Sequence, residues 1–257
     1  MHYASGVTRH GAVQGVRSSG FPLLSMALLP DDPAPPRSPA EDDLRRRVKR
    51  ELRKRAQELR KATPLEACHA RSLLIVANIH GLEAMHRARS VALFWPIVAR
   101  HEVDLRSLDV VLRERGVRVA YPAIVPRDDG DGRHSMTFRF VSDVSTLAER
   151  GFGFAEPPLD APGVGDPIEA LDVIILPALA LDPAGQRIGY GAGYYDRALK
   201  GTKAVKVGVI FDFQLLSEIP ATTGDVPVCF IVSDRRVLSA TPSAREPEGF
   251  MEPPCPT

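Results

Sequence analysis

The stretch Asp182-Pro-Ala-Gly-Gln-Arg-Ile-Gly-Tyr-Gly-Ala-Gly-Tyr-Tyr-Asp-Arg197 decides how the rest of the chain is read. It follows an apolar, β-rich run, Asp172 to Leu176, and leads into a helix predicted to start near Tyr194. Gly189, Gly191 and Gly193 remove side chains from a tight loop. Successive backbone N–H groups can then converge on an anion at the start of a helix, where the helix dipole also favours negative charge. Arg187, the flat rings of Tyr194 and Tyr195 and the carboxylate of Asp196 would serve a phosphate, a ring and a hard cation within ten residues. The stretch lacks the Lys-Ser/Thr ending of a Walker loop and the spacing of a dinucleotide fingerprint. From these residues alone a phosphate cradle and a plain glycine-rich turn both remain open.

Working outward, short apolar runs rich in β-formers recur at Val91 to Trp95, Val117 to Tyr121, Met136 to Val141, Val173 to Leu176, Val205 to Phe211 and Val228 to Val232. Helix-like stretches, notably Leu105 to Arg115 and Tyr194 to Leu199, separate several of them. Strands alternating with helices predict an α/β fold: three-layer α/β/α with a mostly parallel sheet, in a single domain over 44–238. Ligands of such sheets bind beyond the carboxyl ends of the strands, which directs attention to the loops.

The 257 residues are 44% hydrophobic and 25% charged with a formal net charge of +1, which excludes collagen-like, coiled-coil and fully disordered classes. Cys68, Cys229 and Cys255 are widely spaced, with no CxxC, and support neither a disulfide framework nor a zinc site. A reducing cytoplasm is the simplest compartment. The apolar run Phe21 to Leu29 is interrupted and falls far short of the roughly 18 residues that span a bilayer, so no membrane partner is expected. Eleven of the 23 prolines fall in residues 1–40 and 242–257. Disorder is therefore expected over 1–43 and 239–257.

From Leu44 to Lys61 the residues Leu44, Val48, Leu52, Ala56 and Leu59 recur at helical spacing and predict an amphipathic helix. The same segment carries ten Lys or Arg against two Glu. Lys49 and Arg53 are one turn apart, placed either to grip a polyphosphate or to be solvated surface charge. A second helix is predicted from Pro64 to about His80. Glu102 is either a partner for the N–H groups of a heterocycle or an exposed loop carboxylate, and Asp225 either a Mg²⁺ contact or a turn residue.

Leu176-Pro-Ala-Leu-Ala-Leu-Asp-Pro-Ala-Gly-Gln-Arg-Ile-Gly-Tyr-Gly-Ala-Gly-Tyr-Tyr-Asp-Arg-Ala-Leu199 resembles the signature of the 5-formyltetrahydrofolate cyclo-ligase (methenyltetrahydrofolate synthetase) family nearly throughout. The resemblance covers roughly Leu44 to Asp234 and includes Lys49 with Arg53, Glu102-Val-Asp104, Gly151-Phe-Gly-Phe-Ala-Glu-Pro157, Gln214, Pro220 and Asp225, in the same order. It implies an ATP- and Mg²⁺-dependent conversion of 5-formyltetrahydrofolate to 5,10-methenyltetrahydrofolate, with ADP and phosphate released. It also implies ATP contacts at Lys49, Arg53, Arg187, Ile188, Gly189, Tyr190, Gly191, Ala192, Gly193, Tyr194 and Tyr195. Folate contacts are implied at Ile97, Glu102 and the loop from Tyr190 to Tyr194, catalytic roles at Arg187 and Tyr194, and Mg²⁺ ligation at Asp196 and Asp225. Leu105, Ala192, Gly224 and Cys229 depart from the family's frequent residues, and the stretch from Pro96 to Glu102 is longer than in many relatives.

The expected partners are a reduced folate and ATP, with no nucleic acid, in a monomer or weak homo-oligomer. Two other readings compete: a folate- or nucleotide-binding regulator of the same fold without turnover, and a nucleic-acid surface on the basic helix.

Overall fold

The computed structural model describes residues 38–127, 133–161, 168 and 170–241. The disorder expected over 1–43 and 239–257 falls for the most part, at 1–37 and 242–257, outside the described residues; within those bounds 39–43 are helical and Ser239 ends a strand. Helix α1 runs over Pro39–Ala62, five residues earlier than the Leu44 that the apolar stripe predicts. Its start is a capping box: Glu41 N–H donates to Ser38 Oγ at 3.3 Å and Ser38 N–H donates to Glu41 Oε2 at 2.9 Å. With Pro39 in the first turn, Glu41 and Asp42 at the positive end and Arg60 and Lys61 at the negative end, the polar residues fix the limits of this helix.

The face that α1 buries also differs from expectation. Leu44, Val48 and Leu59 are 62%, 41% and 48% exposed, whereas Lys49, Ala56 and Arg60 are buried. Leu52 and Ala56 supply the apolar contact, packing with Leu179, Ala180, Ile188 and Ile219. The helix therefore docks through a mostly cationic face, and that requires polar partners on the body of the protein.

Helices α2 (Leu65–His80) and α3 (Glu83–Arg87) lead into strand β1 (Ser90–Ala92), followed by a 3₁₀ turn at Val98–Arg100, α4 (Arg106–Glu114), β2 (Arg118–Pro126) and β3 (His134–Phe140). Two-residue strands β4 (Ala148–Glu149) and β5 (Ala155–Glu156) pair with each other. Next come β6 (Val173–Pro177), the small hairpin of β7 (Ala180–Leu181) and β8 (Arg187–Ile188), α5 (Tyr194–Ala198), β9 (Val205–Val209), β10 (Phe230–Val232) and β11 (Val237–Ser239).

The main sheet has seven strands in the order β11-β10-β9-β6-β1-β2-β3. Its five inner strands are parallel and both edges are antiparallel, in keeping with the mostly parallel α/β fold expected. Alternation along the strands divides the core into two layers. Val91, Val119, Val173, Ile175 and Val207 face Ile75, Ile79, Met85, Leu108 and Leu112 of α2, α3 and α4. Ala92, Ala120, Ile174, Leu176 and Ile231 face the opposite way, towards Phe138, Leu199 and the partly buried Tyr195 and Ala198 of α5.

Strand β2 extends to Pro126, beyond the expected Tyr121, because it pairs with β3 from Ala120↔Phe140 to Pro126↔His134. Its register with β1 ends at Ala120, so Pro122, which has no N–H to give, lies where only one neighbour remains. Strand β1 is correspondingly shorter than Val91 to Trp95, and Phe94 and Trp95 are released from the ladder. Cys68 is a free buried thiol. Among the described residues no helix is long and apolar enough to cross a membrane.

The β7–β8 hairpin positions the glycine loop. Asp182 is buried at its turn and accepts from Gln186 N–H at 2.9 Å and from Ile219 N–H at 2.6 Å. Gly185 has φ +81°, and a Cβ there would lie 2.5 Å from the carbonyl oxygen of Val228, so only glycine fits. Gln214, buried, donates to Leu179 O at 2.6 Å and accepts from Phe211 N–H at 3.0 Å, bracing the same region.

Candidate functional site

The hairpin turns Ile188 into the core and Arg187 towards a cavity of about 580 Å³, a size suited to small molecules. Lys49, Arg53, Ile97, Glu102, Arg187, the loop from Gly189 to Tyr195, Asp196 and Asp225 all line this one cavity. Of the residues to which the resemblance gives a ligand or catalytic role, only Ile188 does not, because it is fully buried beneath the loop. Residues up to 176 positions apart are thus brought together.

One half of the cavity is cationic. Lys49 donates to the carboxylate of Asp225 and, at 3.2 Å, to Thr222 Oγ1. Thr222 donates to Asp225 Oδ2 through its N–H at 2.6 Å and to Oδ1 through its hydroxyl at 3.0 Å. Arg53 Nε donates to the carbonyl oxygen of Gly189 at 2.7 Å. Gly191 has φ +103°, and a Cβ there would approach Arg53 Cζ to 3.2 Å, so the loop is shaped around that guanidinium. Burial, and then the neighbouring Arg50 cation, push the Arg53 pKa down, a strain that an anion would relieve.

Arg187, nearly buried, donates to Asp196 Oδ1 at 2.8 Å and lies 5.4 Å from the centre of the Tyr195 ring. Val226 N–H lies 3.5 Å from the same Asp196 oxygen, which ties Asp196 to the residue after Asp225. Helix α5 is only five residues long, so positive charge on this side of the cavity comes from side chains such as Arg187 more than from the dipole expected at its start.

The other half is apolar and aromatic, walled by Phe94, Trp95, Pro122, Met136, Phe152 and Phe154. At its edge Glu102 is buried and accepts from Ile97 N–H at 2.9 Å and from the hydroxyl of Tyr190. Burial and then the Glu102 charge push the Tyr190 hydroxyl up to about 12, so it stays a neutral donor at physiological pH. Arg60 donates to the same hydroxyl, and Arg100 lies 5.0 Å from the centre of the Tyr190 ring. Six Lys or Arg line the cavity against the three carboxylates Glu102, Asp196 and Asp225, an excess of positive charge that favours an anionic ligand.

Among the described residues no group of three or more His, Cys, Asp or Glu gathers to hold a metal. Asp196 and Asp225 nevertheless fit Mg²⁺, which takes one or two carboxylates and completes its shell with water and substrate phosphate oxygens. Both line the same cavity as Lys49, Arg53 and Arg187.

Arg60, Arg100, Thr222 and the aromatic wall went unrecognised in the sequence. Arg60 lies seven residues after Arg53 and so on the same helix face, a signal hidden among the ten cations of that segment. Phe152 and Phe154 stand in the Gly151 to Pro157 motif without a residue type that announces chemistry.

The sequence description of the 5-formyltetrahydrofolate cyclo-ligase family matches residues 45–234. The chain is 33% identical over 199 residues to the 5-formyltetrahydrofolate cyclo-ligase of Mycolicibacterium smegmatis, covering 76% of this chain and 97% of that one. It is 34% identical over 139 residues to the Escherichia coli K12 protein of the same name, covering 53% of this chain and 74% of that one. Among solved structures, the 5,10-methenyltetrahydrofolate synthetase of Aquifex aeolicus superposes with a TM-score of 0.63 at 29% identity, covering 80% of this chain and 97% of the other. That of Mycoplasma pneumoniae, at 22% identity, shares the fold with a TM-score of 0.56 over 72% and 98% of the two chains. With the match spanning nearly all of the described fold, the chain belongs to the 5-formyltetrahydrofolate cyclo-ligase family.

Proposed function

We propose that the protein closes 5-formyltetrahydrofolate to 5,10-methenyltetrahydrofolate with hydrolysis of ATP to ADP and phosphate. One observation carries the reading: a single cavity joins a cationic half, with Lys49, Arg53 and Arg187, to an aromatic half edged by Glu102. That is the shape needed for a triphosphate to meet a formylated heterocycle.

The chemistry assigns work to each half. A formyl oxygen is a poor leaving group until ATP's γ-phosphate is transferred to it. The neighbouring folate nitrogen then attacks the activated carbon, its proton is lost, and phosphate departs with the oxygen. Phosphoryl transfer depends mainly on positioning and charge neutralisation. Lys49, Arg53 and Arg187 would hold the phosphates, and Arg187 and Tyr194 stand beside the loop where the transferred group would pass. Asp196 and Asp225 would hold Mg²⁺, which supplies neutralisation of phosphate charge when bound. Glu102 would accept from the pterin's N–H groups, while Trp95 and Phe154 cover the ring and exclude water. We further assign the protein to the cytoplasm, as a monomer or weak homo-oligomer.

The test is an absorbance assay of methenyltetrahydrofolate formation, with and without ATP and with and without Mg²⁺. Product is expected only when both are present. Folded protein that binds both ligands and forms no product would replace this reading with that of a binding regulator.

A further inference from the structure

We propose that Arg60 is a positioning residue for the folate half of the site: through the Tyr190 hydroxyl it fixes the orientation of Glu102. The proposal deepens the folate reading above and rests on it.

Arg60 lies in the last turn of α1, and its side chain is only 5% exposed, against 4% for Glu102. A guanidinium withdrawn from water costs several kcal/mol unless charge and hydrogen bonds compensate, so a burial this deep on a helix rich in exposed cations has a local cause. The cause is a chain of three groups. Arg60 Nη2 donates to the Tyr190 hydroxyl, the hydroxyl pairs with Glu102 Oε1, and the guanidinium lies 3.9 Å from that same oxygen. Glu102 Oε2 is held separately by the N–H of Ile97 at 2.9 Å.

The direction of this chain has one solution. A guanidinium only donates and an ionised carboxylate only accepts. Tyr190 must therefore accept from Arg60, and its single proton must point to Glu102. Without Arg60 the hydroxyl loses the donor that directs its proton towards Glu102, and Glu102 loses the cation 3.9 Å from its Oε1. A carboxylate offers about four acceptor positions, and one bond on each oxygen leaves room for a ligand with adjacent N–H donors, such as the amino-pyrimidine edge of a pterin. Tyr190 also belongs to the glycine loop, so the same chain couples that loop to the heterocycle end of the cavity. Arg100, the other cation at Tyr190, lies over its ring rather than at its hydroxyl, and does not duplicate the role.

The test compares Arg60→Met, Arg60→Lys, Tyr190→Phe and the Arg60→Met/Tyr190→Phe double variant with the wild type. Calorimetric affinities for 5-formyltetrahydrofolate and for ATP are measured separately, with melting temperature as a control. Arg60→Met is expected to weaken folate binding about ten-fold while ATP affinity stays within about two-fold, and Arg60→Lys to recover most of the loss. Adding Arg60→Met to Tyr190→Phe is expected to cost little more, because the two act as a unit. Unchanged folate affinity in Arg60→Met, an equal loss for both ligands, or fully additive effects would overturn the role. Should Arg60→Met fail to fold, Arg60→Lys and Tyr190→Phe decide: wild-type folate affinity in both overturns it. A wild-type chain that binds no reduced folate would instead sink the folate reading, and Arg60's role with it.

Discussion

The ammonium of Lys49 is paired with the carboxylate of Asp225, and the two side chains are only 10% and 21% exposed. The family resemblance assigns one of these groups to a phosphate and the other to a metal, yet without ligands they neutralise each other, with Thr222 clamping the carboxylate from the side. Under the proposed function a Mg²⁺–ATP complex would give each a new partner of opposite charge. Lys49→Ala is expected to raise the KM for ATP about ten-fold, or about 1.4 kcal/mol, with little change in the KM for folate. Steady-state kinetics with each substrate varied in turn checks this, and an unchanged ATP value would make the pair purely structural.

Asp196 lines the same cavity, with Oδ1 engaged by Arg187 and near Val226 N–H. An asparagine can still accept from Arg187 but carries no charge for a cation. Asp196→Asn is therefore expected to lower the apparent Mg²⁺ affinity about 10- to 100-fold, with a partial return of rate at high Mg²⁺. Its melting temperature should stay close to wild type, because the side chain is 30% exposed. Wild-type rates at limiting Mg²⁺ would remove Asp196 from the metal site.

Gly191 tests the loop by its backbone. At φ +103° any side chain is strained by about 1–2 kcal/mol, and its Cβ would press on the Arg53 guanidinium 3.2 Å away. Gly191→Ala should lose about that much stability and bind ATP more weakly because Arg53 must shift from the Gly189 carbonyl. Chemical denaturation and ATP titration together separate the two effects. A variant with lowered stability and unchanged ATP affinity would show that Arg53 does not depend on the loop.

These residues also mark how far the sequence could be read. The parallel strands are legible where an inner strand is a continuous apolar run buried on both faces, as Val173 to Leu176 is. The glycine loop is legible because positive φ leaves glycine as the economical choice at positions such as Gly191. The docking of α1 is not, since its apolar stripe predicts burial of Leu44, Val48 and Leu59 and the structure exposes all three. What seats the helix is Lys49 and Arg60, whose partners Asp225 and Glu102 are distant in sequence, and a long-range ion pair leaves no periodic trace. The aromatic wall escapes for a related reason: Trp95, Met136 and Phe154 come from separate strands and loops and converge only in the fold.

Away from the cavity, the loop after β9 is held by Asp212, and its contribution depends on pH in a defined direction. Burial would push the Asp212 carboxyl up, but the hydrogen bonds from Arg236 and Ser233 prevail and hold it below the ordinary carboxylate range. Arg236 reaches it through Nε and Nη2, each at 2.8 Å, and the Ser233 hydroxyl donates at 2.8 Å. A carboxyl whose pKa is lowered by folding stabilises fully above its unfolded value of about 3.9, and the gain is lost as pH falls through the folded value. Asp212→Asn should thus cost about 1 kcal/mol at pH 7, a few degrees in Tm, while leaving turnover unchanged because the residue does not line the cavity. As pH falls below the unfolded value towards the lower folded one, the wild type progressively gives up the same advantage, so the gap between the two melting temperatures should narrow. Thermal melts of both proteins from pH 7 down to pH 3 follow this directly, and a gap that stays constant would trace the loss to packing rather than to charge.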